Sequence, residues 1–379
     1  MLKKLFLFIS SCFIAANIFA ATELDYMEYA TDGAAQTAYV SSGGTVASPI
    51  LHYKMNDNAA TSVIVDAMAD TNGVYNDRVA GAINTSTGSV AGKINTAINI
   101  DDDYVYVAKV LASATYSVSM WIKSTDTADA KYLYDARLDG GTGYGFLSAA
   151  EAIVVSSGTV YINNVATSTG IVSGVWSHVV VTGLTMETKT ALIIAQRYAL
   201  AEVTEFVGPI DDFRVYSGTL SAADIAAIWN DGHGTEDENP RKDLQCYSES
   251  TIKTQGSNSL KGVALITDSL NDTLTKSGLS IDLSGLGSWK FDIYASRTGA
   301  NIKLGIHDSG GTTTETTYTV LSANTWETVT VDISGVSNAN KDAIDSIIAT
   351  IANADAANTF YLDNMFAETV AARRIIFIQ

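Results

Sequence analysis

The chain has 379 residues and a formal net charge of −18, with 23 Lys and Arg against 41 Asp and Glu. A field of that sign repels phosphate backbones and anionic headgroups, which argues against nucleic acid and bare membrane as partners. Only 3 prolines stand beside 29 glycines, and runs rich in Thr, Ser, Val and Ile point to β-structure rather than disorder, in a chain long enough for two cores.

Lys3 and Lys4 precede an apolar run that reaches Phe19, with small residues at Ala20 and Ala21. Residues 1–20 therefore read as a secretory signal peptide, too short for a membrane span. Ile9-Ser10-Ser11-Cys12 offers a rival, lipoprotein-type reading of the same segment. No further long apolar segment follows. The expected location is secreted, extracellular or cell-surface, with the periplasm as an alternative. Once the leader is removed Cys246 is the only cysteine, so no intramolecular disulfide can form.

After the leader, residues 23–41 carry Glu23-Leu24-Asp25-Tyr26-Met27-Glu28 and are too apolar for a plain linker. A first block spans 48–238. It opens with Leu51-His52-Tyr53-Lys54-Met55 and continues through strands at 63–65, 97–100 and 104–107. Residues 117–123 and 176–181 alternate in the manner of half-buried strands. Residues 208–234 read as a strand, a turn at Ser217-Gly218 and a short amphipathic helix. Ser221 and Asp224 have the spacing of a capping box, Ala222, Ile225, Ile228 and Trp229 form the buried stripe, and Gly232 suits the stop. A second block continues to residue 368, with strands at 289–295, 301–307, 326–333 and 359–365. The spacing of Ile344, Ile347, Ile348 and Ile351 predicts a helical turn feeding a strand.

In this order, the segments LHYKMNDN, GKINTAINIDDDYVYV, YSVSMWIKS, VWSHVVVTG and GPIDDFRVYSGTLSAADIAAIWNDG resemble the laminin-G-like (concanavalin A-like) jelly-roll family. That fold is shared with legume lectins and laminarinase-type glucanases. TQGSNSLKG and NTFYLDNM resemble parts of carbohydrate-binding modules with a galactose-binding-like sandwich. Residues 23–41 resemble the first strand of such a module. The resemblances imply an all-β protein of two β-sandwich/jelly-roll domains, one inserted in the other. The host is residues 22–46 plus 241–368, the guest is 48–238, and 369–379 form a tail that could add a strand to a neighbour. They also imply binding of an extracellular polysaccharide or glycoprotein without catalysis. A structural surface-layer or appendage component that self-associates is the second reading, and a glycoside hydrolase the remotest.

Glu23, Asp25 and Glu28 match the E-x-D-x-x-E of laminarinase-type hydrolases, in which paired carboxylates attack and protonate the glycosidic bond. The motif falls outside the laminin-G-like block, so no catalytic residue is assigned. The module resemblance instead implies a structural calcium at Glu28 and Asp363. The laminin-G-like resemblance implies a metal at Asp66 with Asp211 or Asp212. Oxygen ligands of this kind suit calcium. No zinc spacing and no nucleophile elbow is present. A glycan needs rings to stack on beside paired polar groups. Tyr132, Tyr134, Arg137 and Tyr144 around Gly140-Gly141, joined by Arg197 and Tyr198, are the expected ligand-binding surface. Trp121, Trp176 and Trp229 are expected to fill the core.

Overall fold

The computed structural model describes residues 21–126, 130–137, 142–188, 190–197 and 204–369. The leader, Gly140-Gly141, Tyr198 and residues 370–379 lie outside these. Two compact units form. Among the described residues, those up to Ser42 together with those from Cys246 make one, and those within Gly43–Gln245 make the other. Every sheet is antiparallel, and the fold class is all-β.

In the discontinuous unit one sheet runs in the order Leu244–Glu249, Ser259–Ala264, Asn358–Glu368, Ser288–Ala295 and Glu327–Asp332, with Thr22–Asp25 also paired to Asn358–Glu368. The other runs Val40–Ser41, Thr273–Ile281, Ile344–Ile351, Gly299–Asp308 and Thr312–Val320. Trp289, Phe291 and Ile293 alternate into the core, as do Ile302, Leu304 and Ile306, the period of 2 that a strand requires. Ile344–Ile351 is a strand throughout, not the helical turn expected. Its partners on both sides hold it in the ladder, and its β-branched residues fit a pleated surface. A helix not expected from the sequence covers Asp32–Ala38, capped by the Thr31 side chain on Ala34 N, which satisfies one of its orphan donors.

The continuous unit is a sandwich of two 8-stranded sheets. The back sheet is built on Ser177–Met186, Ala114–Ile122 and Gly208–Ser217, flanked by shorter strands including Leu51–Tyr53 and Thr96–Ile100. The front sheet runs Ile153–Val155, Tyr144–Leu147, Lys131–Asp135, Leu192–Ile194, Asp103–Val107, Gly73–Asp77 and Val63–Ile64, with Gly81–Ala82 at the side. Between them Val118, Met120, Ile122, Leu133, Tyr134, Val179, Val181, Ile210, Phe213 and Val215 share one core.

The helix Ala222–Trp229 closes the outer face of the back sheet. Both halves of its capping box are present, Ser221 Oγ on Asp224 N at 3.2 Å and Asp224 Oδ2 on Ser221 N at 2.9 Å. Ile225, Ala227 and Ile228 pack with Val180, Tyr216 and Leu220. The α-helix ends at Trp229, because Asn230 takes the left-handed conformation at φ 50°, which Asn tolerates at a helix end, and a short 3-10 turn carries the chain to Gly232. No described helix lies against the front sheet in the same way.

Candidate functional site

The register of the front sheet sets which side chains share its outward side. Tyr132 pairs with Phe146, Asp135 with both Tyr144 and Ile193, Ile193 with Tyr106, and Tyr106 with Val74. Directly paired residues share a face, so these side chains form one band across the strands. Tyr132 lies 5.3 Å from Phe146, and Tyr144 is stacked on Phe146 at 6.2 Å with 14° between planes. Arg137 sits 3.9 Å over the Tyr144 ring and donates from Nη2 to Tyr132 Oη at 2.6 Å. Its Nε pairs with the buried Asp135 at 3.1 Å. That carboxylate holds the guanidinium pKa above its ordinary value against the opposing effect of burial. Thr204 accepts from Tyr132 N, and Glu205, bridged to Tyr132, carries a buried Oε2 with no hydrogen-bond partner.

Tyr134 does not join this surface. Residues 132 and 134 share a face in a regular strand, but the pairing slips between them. The extra residue of a bulge turns the chain over. Tyr132 therefore turns to the outward side, where Arg137 and neighbouring rings leave it 9% exposed, while Leu133 and Tyr134 enter the core with no exposure. The Tyr134 ring passes so near Gly145 that a Cβ there would lie 2.7 Å from Cε1. Arg197 is exposed beyond the strand end, its N–H donated to Gln196 Oε1 at 2.7 Å. Phe146, Tyr104 and Tyr106 share this side of the sheet without being among the residues their sequence clustering singles out. The available signal was alternation, in Tyr144-Gly145-Phe146 and in Asp103-Tyr104-Val105-Tyr106-Val107.

The outer face of the back sheet holds a second constellation, under the helix. Asp212 Oδ1 is 2.7 Å from His52 Nε2, and Arg214 pairs with the same carboxylate at 3.0 Å. Arg214 continues to the carbonyl oxygens of Thr235 and Asp237. Burial alone would raise the Asp212 pKa, but Arg214 and His52 bring it below the ordinary value. Trp121 stacks on Trp229 at 5.2 Å and lies 4.9 Å from His178, so both tryptophans pack here. Burial lowers the His178 pKa to about 3, and its Nε2 meets Ser119 Oγ at 2.9 Å. Trp176 is half-buried rather than core.

Asp211 differs from its neighbour Asp212. Its Oδ2 accepts from Ile94 N at 2.8 Å, yet the buried Oδ1 has no hydrogen-bond partner. Burial raises its pKa to about 8, with Asp212 and Glu236 adding repulsion. Glu236 Oε1 accepts from Asn56 and Asn95 Nδ2 at 2.6 and 2.9 Å. An orphaned buried carboxylate oxygen with a second acid nearby fits a hard cation, which favours several oxygen ligands. Asp66 does not fit one. It accepts from the N–H groups of His52, Met68, Asp70 and Thr71 at 2.9–3.1 Å, so donors take up both its oxygens in a turn.

In the discontinuous unit Glu28 and Asp363 meet the same loop. Glu28 Oε2 accepts from Ser257 and Asn258 N at 2.7 and 3.2 Å, and Asp363 Oδ2 accepts from Thr254 N and Gln255 N at 2.7 and 3.1 Å. Asp25 is drawn elsewhere, to the hydroxyls of Tyr29 and Tyr39 and to Lys276 at 2.9 Å. Asp25 and Glu28 of the E-x-D-x-x-E stretch thus serve different partners. Among the described residues, no group of three or more His, Cys, Asp or Glu side chains is gathered as a metal-ligand set.

The described residues thus form antiparallel sandwiches, one of them with an aromatic band on its front sheet. Residues 99–185 match the family model described as the concanavalin A-like lectin/glucanases superfamily. No curated protein matches the chain. Among solved structures, an exo-β-agarase is 14% identical, with 34% of this chain and 22% of that one covered and a TM-score of 0.29. The family 30 carbohydrate-binding module of a cellulosomal cellulase of Clostridium thermocellum is 15% identical, over 34% of this chain and 87% of that one, at a TM-score of 0.28. The family 11 module from the same organism, in complex with a mixed-linked β-1,3-1,4 tetrasaccharide, is 18% identical over 34% and 89%, at 0.26.

Proposed function

We propose that the protein is an exported, non-catalytic carbohydrate-binding protein that recognises an extracellular polysaccharide or a glycoprotein, as an adhesin or a targeting subunit. The observation that carries this reading is the asymmetry of the continuous unit. A helix with a capping box covers the outer face of the back sheet, whereas the front sheet presents Tyr132, Tyr144 and Phe146 beside Arg137 and Glu205. Rings stack on the C–H faces of sugars, and adjacent donors and acceptors pair with hydroxyls. Tyr132, Tyr144 and Arg137 are the binding residues, with Phe146 as the floor. Arg197 stands at the margin.

Calcium is the cofactor of this proposal, in a structural role. Asp211 would hold it with Glu236 as the second acid, and backbone carbonyls would add ligands. Asp363, like Asp66, has both oxygens taken up by donors, from Thr254, Gln255 and Asn364, so it and Glu28 tie their loop to the last strand without an ion.

Pull-down on insoluble polysaccharides and a glycan array, with Tyr144→Ala beside the parent chain, test the reading. Saturable, sugar-competed binding that Tyr144→Ala weakens by about tenfold is expected, the loss of one stacked ring. Assembly that depends on protein concentration but not on sugar would favour the structural surface component. Release of shortened sugars would overturn the non-catalytic assignment.

A further inference from the structure

The outermost strand of a sheet leaves a row of N–H and C=O groups without a neighbour, and folded chains blunt such edges by shortness, charge, proline, bulges or a covering segment. Among the described residues nearly every edge is managed in this way. The other outermost strands are two to six residues long. Leu244–Glu249 is also covered, since Asp32 Oδ1 accepts from Ser248 N at 2.9 Å and Gln36 Nε2 donates to Cys246 O at 3.2 Å. Glu327–Asp332 carries an acid at each end. Thr312–Val320 is the exception. It has nine residues, TTTETTYTV, with no Pro, Lys or Gly, and Thr and Tyr suit a pleated strand. It pairs with Gly299–Asp308 alone, in unbroken register from Thr312 to Tyr318. Among the described residues its backbone makes no hydrogen bond outside that ladder. Just past its end Leu321 is 74% exposed. The single charge of the strand, Glu315, is met from behind by Lys303 Nζ at 2.8 Å.

We propose that Thr312–Val320 is the interface for a second copy of this chain, joined edge to edge and antiparallel about a two-fold axis at Thr316, so that two five-stranded sheets become one. The strand is self-complementary in that register. Thr312 meets the copy's Val320, Thr313 its Thr319, Thr314 its Tyr318 and Glu315 its Thr317. Cross-strand Thr pairs are favourable, whereas like charges directly opposite are not. An axis at Glu315 would set two carboxylates against each other; the axis at Thr316 avoids this. Lys303 is paired with Thr317, so the copy's Glu315 enters the row that holds Lys303, one strand beyond Thr317. By the same count Leu321 gains cover from the copy's Gly311. Nine paired residues span about 30 Å and supply about eight to ten bonds between chains. A standard interface carries about ten direct hydrogen bonds, so this edge is long enough. The contact is isologous and closes at two copies, unlike the open assembly of a surface layer. Pairing of this kind is independent of what the protein binds.

Sedimentation velocity of the full chain over roughly 1 to 100 μM is the test, with thermal melts of every variant. A dimer that dissociates on dilution and grows no larger is expected. Thr317 is exposed, so Thr317→Glu leaves the fold intact but sets a second acid against the copy's Glu315 at two symmetric places. It should weaken the dimer on the order of tenfold. Adding Glu315→Lys to Thr317→Glu opposes unlike charges and should recover the dimer. Thr316→Cys should form a disulfide between copies under mild oxidation, above the level of the parent chain, because position 316 faces itself. Thr312→Cys should not, since the two positions 312 lie about 27 Å apart. A monomer at every concentration, species that grow beyond two copies, a dimer indifferent to Thr317→Glu, or crosslinking of Thr312→Cys equal to that of Thr316→Cys would each overturn the pairing. Sugar-competed binding by such a monomer would leave the carbohydrate reading standing.

Discussion

Asp211 and Asp212 are consecutive on one strand, yet both carboxylates are fully buried and each serves a different neighbourhood. Asp212 has φ 49°, and the pairing to Ala114–Ile122 slips opposite it. The resulting bulge lets Asp211 reach Ile94 N while Asp212 turns to His52 and Arg214. One of the two is compensated by an ion pair. The other lacks a partner on one oxygen.

The pH dependence of Asp211 follows from that difference. Its folded pKa, about 8, lies above the ordinary carboxylate value, so the protonated form favours the fold. Its contribution is full below the unfolded pKa and is lost as pH rises toward 8. Without calcium, thermal stability should therefore fall between pH 5 and pH 8, and added calcium should restore it at the alkaline end. Asp211→Asn should flatten both responses in melts run with and without chelator.

Arg214→Met leaves Asp212 charged, buried and short of its main partner. Losing one member of a buried pair costs about 3–5 kcal/mol. Urea denaturation of Arg214→Met should show a loss of that order. An Asp212→Asn, Arg214→Met double variant should lose less than the sum of the single changes, because the uncompensated charge is gone.

Tyr134→Phe separates the core tyrosine from those on the outward side. The Tyr134 hydroxyl is buried without a hydrogen-bond partner, and such a group costs about 1–3 kcal/mol. Removing it should leave stability unchanged or higher by up to about 1 kcal/mol, with glycan affinity unaltered. A loss of affinity in Tyr134→Phe would place the binding surface elsewhere.

Gly256→Ala tests the loop held by Glu28. Gly256 has φ +55°, and a Cβ there would lie 1.4 Å from Glu28 Oε1. The loop must shift and release its N–H bonds to that carboxylate, a loss of about 2 kcal/mol. Thermal melts should show this loss, and it should shrink when Glu28→Ala is present already, since the clash is then absent.

Local rules made the all-β class readable from the sequence. Alternation marks a strand wherever one side faces a core, and Ser221 with Asp224 specifies its helix start through bonds within four residues. The family resemblance at 208–234 likewise used short-range spacing. The candidate site was less legible. Tyr132 and Tyr144 were found because they cluster in sequence, but Phe146, Tyr104 and Tyr106 reach the same face only through pairings of strands far apart along the chain. Tyr134 was misplaced because a bulge, which no residue type announces, reverses the alternation between 132 and 134. The orphaned oxygen of Asp211 depended on segments near residues 56, 94 and 236 as well as its own strand. Sequence alone therefore determined most strand segments and the Ser221 cap, since these depend on side-chain period and near-neighbour hydrogen bonds, but not the Thr31 cap or the strand at Ile344–Ile351. Tertiary structure decided which rings share an outward side and which acids lack partners, because register and bulges set direction and burial across distant segments.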